Sequence, residues 1–151
     1  MPAFEMAHEA TVHAPPPAVH ALVNDFRNWT QWSPWEEKDP NLQRTFTGAD
    51  SGAGSQYAWT GNKEVGTGKM MITASTPERI EIDLEFIKPF KQSNKTVFAL
   101  TPEGDGTRVS WTMSGRRNLL MDLAGRLFVD KALGKDFDNG LAKLKLAAEP
   151  S

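Results

Sequence analysis

Apolar residues recur along this chain in two rhythms. From Lys135 onward they fall at Phe137, Leu141, Leu144 and Ala148, spacings of four, three and four that share one stripe of an α-helix, while Asp138, Lys143 and Lys145 turn away. A shorter stripe of Leu120, Leu123 and Leu127 precedes it. Asp130 falls where that stripe would continue and Gly134 follows, so a kink or break is expected between Asp130 and Gly134. Upstream the period is two. Phe4, Met6, His8, Ala10 and Val12 alternate with Glu5, Glu9 and Thr11, and Ile80, Ile82, Leu84 and Phe86 alternate strictly with Glu81, Asp83 and Glu85, which predicts strands with one dry and one wet face.

Between these landmarks the pattern predicts a helix from Pro16 or Pro17, where proline suits the first turn, with Val19, Leu22, Val23 and Phe26 inward. Asn24 and Asp25 are candidate caps for a second short helix running to Trp32 and ended by Pro34. Strands follow at 42–47, 56–60, 64–75, 78–86, 96–101 and 107–113. The breaks fall at Gly48, Gly52 and Gly54, at Gly61-Asn62-Lys63, at Lys88-Pro89-Phe90, and at Pro102 to Gly106. Consecutive hairpins make an antiparallel sheet, and its dry face needs the one long helix as cover. An α+β domain spanning residues 1–151 is expected, with a pocket wherever a curved sheet and a straight helix fail to fill the space between them.

Charge narrows the partners. Seventeen Lys and Arg against nineteen Asp and Glu give a net charge of -2 with no basic run, which argues against nucleic acid. The absence of cysteine excludes thiol nucleophiles, disulfides and thiolate metal sites and suits a reducing compartment. The first nine residues lack the apolar run of a secretory signal, and no stretch has the roughly 20 apolar residues of a membrane span, so a cytoplasmic location is expected.

The order of elements carries a resemblance. Ala14-Pro15 followed by Val19, Asn24-Asp25-Phe26, and Trp29 through Trp35 begin it. Gly66-Thr67-Gly68-Lys69-Met70, Phe86-Ile87-Lys88-Pro89-Phe90, Gly106 through Trp111, and Gly134-Lys135-Asp136-Phe137 leading to Gly140-Leu141 continue it. Together they resemble the polyketide cyclase/dehydrase and lipid-transport branch of the SRPBCC superfamily over nearly the whole chain. The resemblance implies the helix-grip fold of birch-pollen-allergen and START-like domains: a curved seven-stranded antiparallel sheet around a long C-terminal helix, with two short helices after the first strand. Cyclases, carriers of hydrophobic ligands, hormone receptors and chaperone activators all share that fold, so function must come from the site.

Alternation and the helical stripe nominate His8, Tyr57, Trp59, Met70, Ile72, Leu84, Phe86, Phe98, Trp111, Met113, Leu123, Phe137 and Leu141 as cavity-facing. Trp29, Trp32 and Trp35, three apart, are read either as a rim gating the cavity or as a plug joining the second helix to the sheet. His8 and Tyr57 are the titratable members of the inward set, and would be the proton-moving pair if the chain is a cyclase or dehydrase. Glu81, Asp83 and Glu85 fall on the wet face. No His-Glu-x-x-His, Gly-x-Ser-x-Gly or phosphate-loop pattern occurs, so neither metal nor cofactor is expected. A carrier or sensor of a small hydrophobic molecule is the leading reading, with a cyclase and a protein-interaction module as rivals; the oligomeric state stays open.

Overall fold

The computed structural model describes residues 3–36, 38–63, 65–88, 91–116 and 130–149. The Leu120, Leu123 and Leu127 stripe and the Pro89-Phe90 interruption lie outside them. Strand β1 (Ala3–Val12) leads into helix α1 (Pro16–Asn24) and a 3-10 helix (Phe26–Gln31). Then come β2 (Gln43–Gly48), β3 (Ser55–Thr60), β4 (Thr67–Thr76), β5 (Arg79–Lys88), β6 (Gln92–Glu103), β7 (Gly106–Arg116) and helix α2 (Asp130–Ala148).

All seven strands form one antiparallel sheet in the order β1-β7-β6-β5-β4-β3-β2. The chain meanders from β2 to β7, and β1 closes the far side against β7. The inward residues of both strands therefore pair, Met6 with Met113 and His8 with Trp111. The β4–β5 ladder slips register between Thr67 and Gly68 and between Ile72 and Ala74. Such bulges bend a strand and increase its twist, which helps curve the sheet.

Helix α1 starts behind Pro15, with prolines in its first turn, and buries Val19, Leu22 and Val23. Of the two candidate caps, Asp25 begins the 3-10 helix by accepting from the Arg27 amide at 3.0 Å. Asn24 instead accepts from the Ser75 hydroxyl at 2.6 Å, tying α1 to β4. The last turn of α1 leaves carbonyls without intrahelical partners. Asn28 donates to that of Ala21, Trp32 to that of Leu22 and Trp29 to that of Val23, at 3.0, 2.9 and 2.9 Å.

Helix α2 buries Phe137, Leu141 and Leu144 of the expected stripe, with Gly134 and Gly140 beside them, and leaves Ala148 half-buried against the core. Of the kink or break expected between Asp130 and Gly134, the break does not occur: the helix passes through Gly134 uninterrupted. Glycine costs about 1 kcal/mol of helix propensity, but this one faces β1, where an added Cβ would come within 3.2 Å of the His8 ring. Close packing against β1 thus offsets weak local preference. Phe137, Leu141 and Leu144 join Ile80, Ile82 and Leu84 in one core with α1 and the 3-10 helix, and Phe86 packs against it.

Candidate functional site

Because α2 lies over β1, α1 and the 3-10 helix, the inner face of β3 to β5 needs another cover. The 3-10 helix and the stretch after it supply one, and between them and the sheet a cavity of about 110 Å³ remains. Its floor comes from successive strands: Tyr57 and Trp59 on β3, Met70 on β4, Leu84 and Phe86 on β5, Thr96 on β6, Trp111 and Met113 on β7. Trp29, Ser33, Trp35, Glu36 and Leu42 roof it, and Val65 closes the β3–β4 end. Trp59 is held across Gly68, its partner in the ladder, where a Cβ would fall 2.5 Å from the indole. Its N–H donates to the Val65 carbonyl at 2.8 Å.

Seven of the residues nominated from the sequence therefore meet on this floor: Tyr57, Trp59, Met70, Leu84, Phe86, Trp111 and Met113. Ile72 and Phe98 are fully buried in the core and do not line it. Neither do Phe137 and Leu141. Among the described residues the space expected between sheet and C-terminal helix is filled where Trp111 stacks on Phe137 with centroids 4.2 Å apart and Gly140 lets the helix backbone settle against Trp111 and Pro34. Leu123 lies outside the described residues. Of the three rim candidates, Trp29 and Trp35 line the cavity, whereas Trp32 is fully buried and plugs the 3-10 helix onto α1.

His8 sits on the inner side of β1 but turns to the helix. Its Nδ1 shares a hydrogen bond with the Asp138 carboxylate at 2.8 Å, and its ring meets Phe137 edge-on at 5.7 Å. It is absent from the cavity wall. Among the described residues the ionisable groups at the cavity are Glu36 and Tyr57, with Arg44 behind them. The Tyr57 hydroxyl donates to Glu36 at 3.4 Å, and the other Glu36 oxygen pairs with the Arg44 guanidinium. Burial, and then the nearby Glu36 charge, push the Tyr57 phenol well above its ordinary range, and Arg44 opposes this. The bond to Glu36 raises Arg44 in turn. The cluster is a phenol held protonated by burial beside the Glu36–Arg44 pair.

Ser33 and Glu36 carry no periodic signal because the stretch they stand in is irregular, whereas Leu42 and Val65, expected inside strands at 42–47 and 64–75, precede β2 and β4 as those strands begin. Thr96 does carry such a signal, since it stands two residues before Phe98 in the same inward phase. Its hydroxyl and the indole N–H of Trp111 are the two side-chain polar atoms, among the described residues, that are buried without a partner. No group of three metal-ligating side chains converges among the described residues, and none of their helices is long and apolar enough to cross a membrane.

A curved seven-stranded antiparallel sheet closed by α2, with an aromatic cavity on its inner face, defines a helix-grip protein. Residues 3–149 match the family described as polyketide cyclase / dehydrase and lipid transport, and the chain belongs to it. No curated protein matches. Among solved structures, protein CV1439 from Chromobacterium violaceum is similar at a TM-score of 0.70 and 16% identity, covering 97% of this chain and 98% of that one. The di-domain ARO/CYC StfQ from the steffimycin biosynthetic pathway reaches 0.73 at 11% identity, covering 97% of this chain and 50% of that one. The Aha1 dimer from Colwellia psychrerythraea reaches 0.67 at 15% identity, covering 97% and 96%. At such identities the likeness is one of fold.

Proposed function

We propose that this chain binds and carries a small, mainly apolar molecule in the cavity between the sheet and the Trp29–Leu42 stretch. The observation that carries this reading is the wall itself: its described residues are mainly aromatic, aliphatic and methionine side chains, and the one charged group among them, Glu36, is paired with Arg44. Apolar enclosure gives affinity without chemistry, and methionines such as Met70 and Met113 adapt to varied shapes. The volume sets the class of occupant. Pockets for drug-sized ligands span about 300–1,000 Å³, so about 110 Å³ suits a one-ring molecule, and a longer chain enters only if the roof gives. The test is native mass spectrometry of protein purified from its own source, together with titration by apolar one-ring compounds. A co-purifying small molecule, or micromolar binding equivalent to about -8 kcal/mol, supports carriage; failure of every apolar probe to bind sinks it.

The Tyr57–Glu36 contact favours a second reading, a cyclase or dehydrase. A carboxylate that accepts a proton and a phenol that stays protonated are the pair such chemistry needs, and here they adjoin on the cavity wall, whereas His8 does not reach it. Under this reading Glu36→Gln abolishes turnover of an activated polyketide-like substrate while leaving its binding intact. Turnover surviving that change removes Glu36 as the base.

A further inference from the structure

The two unpartnered polar atoms lie on one wall. Thr96 pairs with Met113 across the β6–β7 ladder and Trp111 stands two residues further along β7, so both side chains rise from the same patch of the inner face. Both residues line the cavity, and they are 3% and 1% exposed. The contrast with the other indoles is informative. Trp29, Trp32 and Trp59 each donate to a backbone carbonyl at 2.8 to 2.9 Å. Trp111 cannot turn to find one: it is clamped between Phe137, 4.2 Å away and 5° from parallel, and Phe98, 4.9 Å away at 27°, with Trp32 edge-on at 5.7 Å. Folded proteins rarely bury a donor without a partner, and an isolated polar group in an apolar wall is costly. An indole N–H can only donate, and a threonine hydroxyl can donate as well as accept. Neither atom has open surface of its own, so an acceptor carried by an occupant of the cavity meets them only as the pocket adjusts around that occupant.

We propose that Trp111 Nε1 and Thr96 Oγ1 are the polar anchor of this pocket, and that the molecule it selects is a compact aromatic carbonyl compound rather than a hydrocarbon or a simple alkyl chain. This rests on the reading of the cavity as a ligand site and adds to it the one polar feature of the ligand. The carbonyl oxygen, with two lone pairs, accepts from either donor or both, while the ring lies among Trp59, Phe86 and Trp35. Sites built to hydrogen-bond a ligand discriminate strongly against the analogue lacking that group, because their own buried donors are then left unmet.

The test uses two probes of nearly one shape, acetophenone and ethylbenzene, titrated into 15N-labelled protein. The indole resonance of Trp111, identified by its loss in Trp111→Phe or by sequential assignment if that variant does not fold, is expected to move with acetophenone and stay with ethylbenzene. Thr96→Val, which keeps the shape and removes the hydroxyl, is expected to weaken acetophenone about five- to tenfold, the worth of one neutral hydrogen bond, and to leave ethylbenzene unchanged. Thr96→Ser should restore acetophenone binding. If both probes bind, the indole is indifferent and Thr96→Val treats them alike, the anchor is refuted while the apolar pocket stands. If neither binds, both fall together.

Discussion

The indole of Trp111 lies flat on the ring of Phe137, planes 5° apart and centroids 4.2 Å apart, and this stack fixes the C-terminal helix on the sheet. Phe137 is fully buried, and Trp35 and His8 meet its ring edge-on. Phe137→Ala therefore removes the filling between helix and sheet and is expected to cost about 3 to 5 kcal/mol in chemical denaturation. Phe137→Leu, which keeps most of the volume, should cost markedly less. Equal and small effects of the two would show that the helix is held elsewhere.

Gly140 makes the approach possible. A Cβ there would stand 2.9 Å from both Pro34 and the Trp111 ring, and both of those residues are buried. Alanine in a helix is worth about 1 kcal/mol over glycine, but overpacking a well-filled interior costs about 1 to 3 kcal/mol. Steric crowding should win, so Gly140→Ala is expected to lower the thermal midpoint. A raised midpoint would mean that Pro34 and Trp111 yield freely and that propensity governs this glycine.

Faces were legible in the sequence wherever a period existed. The alternation of Ile80 to Phe86 and the stripe of Phe137, Leu141 and Leu144 each assigned an inside, and those residues share one core. Periodicity says which side a residue faces, not what lies opposite it. Ile72, Phe98, Phe137 and Leu141 point inward as expected but meet other side chains, while their neighbours Met70, Thr96 and Trp111 meet the cavity. That difference arises because α2 settles over β1 and leaves β3 to β5 to the roof. Glu36, the charged group on the wall, sits in a turn where no pattern could place it, and its partner Arg44 is eight residues away on the edge strand β2. His8 had the right parity and the wrong opposite number, Asp138.

Tyr57 offers a titration that reads the site directly. It is the single tyrosine of the chain, and burial first, then the Glu36 charge, raise its phenol above the ordinary 10.0. A raised folded-state value means that the native protein holds a proton which the unfolded chain releases, so this contribution is full below pH 10 and is lost as pH climbs toward the folded value. Phenolate absorbance should therefore appear only well above pH 10, and stability should fall with rising pH in that window more steeply than in Tyr57→Phe. Ionisation at the ordinary pH, with stability equal in the two proteins, would place the hydroxyl in solvent.

Entry to the cavity is the remaining question, and the roof answers it in two halves. The sequence offered Trp29, Trp32 and Trp35 together as a gating rim. Trp29 and Trp32, however, are pinned through their indoles to the end of α1, whereas the backbone amides described in the stretch after them are held by single turns, Glu36 on Ser33 at 3.3 Å and Lys38 on Trp35 at 3.2 Å. The outward ties of that stretch include the pairs Glu36–Arg44 and Lys38–Asp136 and the bond from Asn62 to the Lys38 carbonyl. Beyond it Asp39, 7% exposed, accepts from the amides of Asn41 and Asn62, both at 2.8 Å, and clamps the far end. A segment whose backbone is held by single turns and a few side-chain contacts opens at lower cost than a strand held by full ladders on both sides. Amide exchange at Trp35, Glu36 and Lys38 is therefore expected to be fast in the free protein and to slow when ethylbenzene is added. Exchange at Trp29 and Trp32 should be slow throughout. Exchange at Trp35 and Glu36 as slow as that of Ile80 to Phe86 and unmoved by the probe would rule out entry through this part of the roof, and Asp39→Ala, which frees the clamp, would then leave the probe's association rate unchanged rather than raising it.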